Sequence, residues 1–120
     1  MPRLTKNFTT EEFACPCCGQ CNMDPEFMGR LQAVRTEYGK RMSVISGYRC
    51  EIQDGKKGAH TEGKAVDPGV PREDYHTVMR LAFAHGFTGI GVKQKDGRHQ
   101  LHLDTADAAP GRPRPWVWTY

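Results

Sequence analysis

Apolar residues recur along this chain in two different periods. Phe27, Leu31, Val34 and Tyr38 repeat at helical spacing, which predicts a helix with one buried face. Asp24-Pro25 marks its start, a capping carboxylate followed by proline at the first helical position, and Gly39 marks its end. A second helix is predicted from Arg72 to His85, with Val78, Leu81 and Ala82 on its inner face and Gly86 past its end as a C-cap. Elsewhere the apolar runs are short. Met42 to Tyr48 reads as a strand, and so does Ala65-Val66-Asp67, closed by Pro68. Thr88 to Val92 and Gln100 to Asp104 make two more, joined through Lys95-Asp96-Gly97-Arg98; Asp-Gly between extended runs is a strong hairpin signal. Phe8 to Phe13 reads as a short helical turn, with Thr9 or Thr10 as N-cap and acidic residues in the first turn. Residues 50–64 are polar, carry Gly55, Gly58 and Gly63, and are expected to form a loop. The tail from Ala108 to Tyr120, with three prolines and two tryptophans, is expected to run extended and pack on the body. No internal repeat or long linker divides the chain. The sum is one α+β domain over residues 1–120, a small, mainly antiparallel sheet with two principal helices.

Composition narrows the class. A chain of 120 residues has room for one modest core, and 38% apolar with 26% charged residues is typical of globular proteins. No apolar run approaches the roughly 20 residues that span a bilayer, so membrane insertion is not expected. The opening Met1-Pro2-Arg3-Leu4-Thr5-Lys6 is polar and contains no signal-peptide core. Synthesis in a cytoplasm without a signal peptide is therefore expected, with any export by another route. The net charge of +3 owes much to Lys56, Lys57, Lys64, Arg112 and Arg114. A weak positive field suits an anionic partner, a cell-wall polymer or nucleic acid, but is equally a solvated surface.

Candidate chemistry changes the picture more. The five cysteines are an odd number; four crowd into residues 15–21 and the fifth is Cys50. That pattern does not suit a secreted disulfide scaffold. The C-x-x-C spacings of Cys15–Cys18 and Cys18–Cys21 suit thiolate ligands, so a second, structural metal on Cys15, Cys17, Cys18 and Cys21 is one reading. Free or packed thiols in a reducing compartment, and a disulfide to Cys50, are the others. His60 and Asp67 stand seven residues apart across a glycine turn, and His102 comes from a hairpin strand. Three N/O ligands from separate elements leave a fourth tetrahedral position open, which is how a catalytic rather than a structural zinc site is built. By spacing alone, a His and an Asp near glycines are more often loop residues than ligands. His76 and His85 fall on the second predicted helix and are given no role, although His85 suits a helix C-terminus.

The motifs in order are Ser46-Gly47-Tyr48-Arg49, the H-x-x-G-x-A-x-D of His60–Asp67, and His102-Leu103-Asp104, the last preceded by Phe87-Thr88-Gly89-Ile90-Gly91-Val92. With them the chain resembles the zinc D-alanyl-D-alanine carboxypeptidases and L-alanyl-D-glutamate endopeptidases, including short phage-borne members, over nearly its whole length. The resemblance implies one catalytic Zn2+ held by His60, Asp67 and His102. It implies that Arg49, flanked by Ser46 and Tyr48 on the substrate side, neutralises a substrate carboxylate or polarises the scissile carbonyl. The implied reaction is attack by a zinc-activated water, with a base carrying the proton to the leaving amine. The pattern departs from the family at that base. Several relatives carry a carboxylate three residues before the last histidine ligand, where this chain has His99. Asp104 and His99 are the candidates, with Glu62 as a third behind them. The segment between Arg49 and His60 is also shorter than in relatives and bears on substrate choice.

The implied substrate is a peptidoglycan peptide, and the implied setting is phage or prophage lysis or host entry. The enzyme would be a monomer acting on the bacterial cell wall after phage-mediated release or as part of the virion. Two rival functions belong to other classes. One is a catalytically inactive cell-wall-binding module of the same fold. The other is a zinc-knuckle nucleic-acid binder on the cysteine cluster. The cluster's flanks, Ala14, Pro16, Gly19, Gln20, Asn22 and Asp24, are neither basic nor aromatic, which argues against nucleic acid. Trp116, Trp118 and Tyr120 are either a glycan-stacking surface or rings that pin the tail to the core.

Overall fold

The computed structural model describes residues 3–120, so Met1 and Pro2 of the polar lead-in lie outside the described residues. The elements run β1 (Arg3–Thr5), β2 (Phe8–Thr9), α1 (Thr10–Phe13), α2 (Pro25–Tyr38), β3 (Ser43–Ser46), α3 (Glu51–Asp54), β4 (Ala65–Gly69), α4 (Tyr75–Ala84), β5 (Gly89–Lys93), β6 (Gln100–Asp104) and β7 (Trp116–Thr119). β1 and β2 form a two-stranded ribbon. The other five strands make one sheet in the order β3-β4-β6-β5-β7, antiparallel except for the β5–β7 pair. The fold is α+β, as expected.

Local chemistry accounts for most boundaries. Thr9 caps α1 with a capping box: the Glu12 N–H donates to Thr9 Oγ1 at 3.3 Å, and the Thr9 N–H donates to Glu12 Oε1 at 2.9 Å. Asp24 caps α2 by accepting from the Phe27 N–H at 2.9 Å, with Pro25 in the first turn. Gly39 ends α2 at φ 73°, a left-handed conformation that costs glycine little. The buried face of α2 is Phe27, Met28, Leu31, Val34 and Tyr38, and that of α4 is Val78, Leu81 and Ala82. These side chains share one core with Val66 of β4, Ile90 of β5, and Leu101 and Leu103 of β6. β5 and β6 form the expected hairpin, but residues 94–99 join them through a 3-10 turn at Lys95–Gly97 rather than a two-residue turn, with Asp96 and Gly97 both at positive φ.

Several expectations are corrected. The 50–64 segment is not all loop, because Glu51–Asp54 forms a single helical turn, too short and too exposed to show a period. Pro68 does not close β4: the strand runs through it to Gly69, with Pro68 opposite Val44 beside a register shift. Proline is tolerated there because β6 pairs with β4 only at Ala65 and Val66, which leaves Pro68 a neighbour on one side. The second helix begins with a 3-10 turn at Arg72–Asp74 rather than as α-helix. The tail is more than extended chain. Trp116–Thr119 pairs in parallel with β5, from Gly89↔Trp116 to Val92↔Thr119, and becomes the edge strand. No helix among the described residues is long and apolar enough to cross a membrane.

Candidate metal centre

Strand parity separates the two faces of β6. Leu101 and Leu103 point into the core, while Gln100, His102 and Asp104 alternate to the other side. That side forms the floor of an open cleft of about 660 Å³. β5 contributes glycines to the same face, with Gly91 opposite His102 and Gly89 opposite Asp104. Their missing side chains make room. A Cβ on Gly91 would lie 2.8 Å from the Trp118 indole, and one on Gly89 would collide with the Asp104 carboxylate and the Arg114 guanidinium.

The cleft brings His60, Asp67 and His102 together. Asp67 comes from β4, His102 from β6, and His60 from the turn before β4. One donor atom from each lies within 4.8 Å of the others. Asp67 Oδ1 is 3.5 Å from His60 Nε2 and 3.2 Å from His102 Nδ1. Zinc–ligand bonds of about 2.0–2.1 Å at the tetrahedral angle set neighbouring donors roughly 3.3–3.4 Å apart, so the spacing fits such an ion.

Each ligand's other polar atom is held by a partner. The Gly47 carbonyl accepts from His60 Nδ1 at 2.8 Å, and Asp104 Oδ2 accepts from His102 Nε2 at 2.6 Å. Gln100 Nε2 donates to Asp67 Oδ2 at 3.0 Å, which leaves Oδ1 for the imidazoles. This is the orienting shell that metal-binding histidines and carboxylates need. Gly47 is there for a packing reason: a Cβ would sit 2.8 Å from the Phe13 Cα.

Asp104 is fully buried and receives four donors: His102 Nε2, Arg114 Nη2 at 2.7 Å, Arg114 Nε at 3.0 Å and the Ala106 N–H at 3.1 Å. Burial pushes its carboxyl up, but His102 and Arg114 outweigh this and hold it well below the usual carboxylate range. Burial likewise raises Asp67, and donors from His102 and His60 bring it down to about 2. Burial pushes the His102 imidazole down, and the Asp104 and Asp67 carboxylates override it and hold it up at about 9. Arg114 is sandwiched between Asp104 and the Trp118 ring, 4.9 Å from the ring centre, and Trp118 in turn tilts against His102 with ring centres 5.3 Å apart.

A family model described as Peptidase M15 matches residues 6–104. The chain belongs to the peptidase M15 family. Comparison with curated proteins gives no match. M15 peptidases use zinc, and His60, Asp67 and His102 form a donor set that suits it.

In this M15 peptidase the other candidate residues are dispersed. Arg49 lines the cleft, braced by Asp54 Oδ1 at 3.0 Å. Ser46 does not line it, and its hydroxyl accepts a long 3.4 Å bond from Arg49 Nη1. Tyr48 is buried and lines a neighbouring hollow instead. His99 is exposed, bonded to Arg72 before α4, and absent from the cleft wall. It stands three residues before His102 and ahead of β6, so strand parity does not bring it round to the cleft. Asp104 faces the cleft but serves His102 and Arg114. Glu62 lines the cleft, clasped by Arg112.

The cysteines also group differently from the expected set. Cys15, Cys18 and Cys50 converge, whereas Cys21 packs against the core. Gln100 and Arg114 were not among the expected site residues, and Trp118 and Tyr120, read as a glycan-stacking surface or as rings pinning the tail, line the same cleft. Gln100 was legible from its parity with His102; Arg114 carried no local signal. Burial and the Asp67 charge push the Tyr120 hydroxyl up to about 12, so it stays protonated on the cleft wall.

Proposed function

We propose that this M15 peptidase hydrolyses a peptide bond in peptidoglycan stem peptides or cross-links, with zinc held by His60, Asp67 and His102. The observation that carries the reading is the convergence of these three donor sets on the floor of an open cleft, each oriented by a second partner. Bound there, zinc supplies a Lewis acid and a water acidic enough to ionise near neutral pH. The chain's own residues do the rest. Arg49 offers a guanidinium to a substrate carboxylate or carbonyl oxygen. Lys56 and Lys57 extend the positive wall, which suits stem peptides bearing free carboxylates. Glu62 is the proton acceptor: Arg112 clasps it, but it is the most exposed of the cleft carboxylates, whereas Asp54 braces Arg49 and Asp104 is buried against His102 and Arg114.

The chain's small size and its resemblance to a family with short phage-borne members favour a phage or prophage lysis enzyme. Such an enzyme works as a monomer and reaches the wall on release or with the virion. A second reading, a cell-wall-binding module without turnover, is favoured by one observation: His99, which takes the place of the family's carboxylate, stands outside the cleft. Digestion of purified peptidoglycan, read by fragment mass, separates the two. Cutting by wild type, its loss in His60→Ala and a fall of about 10²-fold or more in Glu62→Gln are the expected results. Zinc-loaded protein that binds peptidoglycan without releasing fragments gives the case to the binding module.

A further inference from the structure

The cysteine cluster lies outside the cleft and has no part in the chemistry above. Cys15 is buried at the end of the α1 segment, and Cys18 follows in a loop closed by two backbone bonds. The Cys15 N–H donates to Gln20 O at 2.7 Å and the Gly19 N–H to Cys15 O at 2.8 Å. Cys50, 35 positions further along the chain, faces them from the start of α3. The sulfurs of Cys15, Cys18 and Cys50 all lie within 4.8 Å of one another, and Cys15 and Cys50 are 3.6 Å apart. Cys17 stands in the same loop between Cys15 and Cys18 and is exposed, so it is available as a fourth thiol.

Sulfurs at about 2.3 Å from a tetrahedral zinc stand roughly 3.8 Å from each other, so Cys15, Cys18 and Cys50 have nearly the spacing the ion requires. The Cys50 N–H points at Cys15 Sγ at 3.3 Å, the kind of donor that supports a metal-bound sulfur. Ordinary packing does not explain the group. Cysteine usually sits in the core, yet Cys17 and Cys18 are exposed beside their partners while Cys21 takes the packed position.

We propose that Cys15, Cys18 and Cys50, with Cys17 as fourth ligand, hold a second, structural zinc ion. Closed by four thiolates, this site has no open position for substrate. Its work is to fasten the loop after α1 to the segment after β3. That segment carries Arg49 on the cleft wall and the Gly47 carbonyl that orients His60. The Tyr48 N–H donates to Phe13 O at 2.9 Å, so the two segments already touch beside the cluster. The clamp stabilises this edge of the fold, because metal binding adds directly to folding free energy.

The test is cobalt(II) titration of the reduced, chelator-stripped full chain, with zinc content measured in parallel. Wild type is expected to take up a second equivalent of metal and to show sulfur-to-cobalt charge-transfer absorption in the near ultraviolet. His60→Ala should lose one equivalent and keep that absorption. Cys50→Ser and Cys15→Ser should lose the absorption, and Cys21→Ser should keep both. If Cys50→Ser does not fold, thiol labelling of wild type decides: zinc should protect Cys15, Cys17, Cys18 and Cys50 and leave Cys21 unaffected. Absence of the charge-transfer band in wild type overturns the proposal. So does its loss in Cys21→Ser with survival in Cys50→Ser, or a Cys15–Cys50 disulfide in metal-poor protein as isolated.

Discussion

The two faces of β6 carry residues of opposite chemistry one position apart. Leu101 and Leu103 complete an apolar core with α2 and α4, while Gln100, His102 and Asp104 build the polar floor of the cleft. The two faces are held by different forces. The core face is held by area removed from water. The cleft face is held by a chain of directed bonds running from Asp67 through His102 and Asp104 to Arg114. The core face should therefore govern stability alone, whereas the deepest residue of the cleft face should govern stability and metal affinity together.

The largest test of that contrast is Asp104→Ala. It strands the nearly buried Arg114 without its partner and frees the His102 ring. The expected outcome is a loss of about 3–5 kcal/mol in chemical denaturation. Zinc affinity should also fall about 10–100-fold by competition with a chelating dye. Leu103→Ala on the other face is expected to cost about 2–5 kcal/mol in the same denaturation experiment. It should leave the zinc affinity of the folded protein unchanged; a drop like that of Asp104→Ala would erase the distinction between the faces.

A smaller effect sharpens the comparison through pH. In chelator-treated protein, His102 is raised from its ordinary 6.5 to about 9. The stability it contributes is therefore fully present below about pH 6.5 and is lost as pH rises through 9. Asp67 is lowered from 3.8 to about 2, so its contribution is present above 3.8 and is lost as pH falls through 2. The chelated protein should show its highest Tm between those limits. Zinc must displace the His102 Nδ1 proton while Nε2–H stays on Asp104. Affinity should therefore tighten about tenfold per pH unit between roughly pH 6 and 8. Calorimetry in buffers of different ionisation enthalpy reads the released proton directly.

Much of this was legible in the residues. Helix α2 announces itself through Asp24-Pro25, its apolar period and Gly39, because capping and periodicity are local. The β5–β6 hairpin does the same through Asp96-Gly97. The metal trio was recognisable from motif order, and the structure brings its three donors together. What was not legible depends on distance along the chain. Arg114 reads as surplus charge in a proline-rich tail, and only the parallel pairing of β7 with β5 carries it to Asp104. Cys21 is nearer in sequence to the other cysteines than Cys50, but the chain entering α2 turns it toward the core. Tyr48 belongs to a recognisable motif, yet the close approach of Gly47 to Phe13 buries it away from the cleft.

The central claim is that an ion sits among His60, Asp67 and His102, and anomalous diffraction at the zinc edge from crystals of the zinc-loaded protein tests it most directly. The account predicts a peak at about 2.0–2.2 Å from His60 Nε2, Asp67 Oδ1 and His102 Nδ1, with His102 Nε2 still bonded to Asp104. A fully loaded crystal with no peak there, or with the ion on the Asp104 side of the His102 ring, would contradict it.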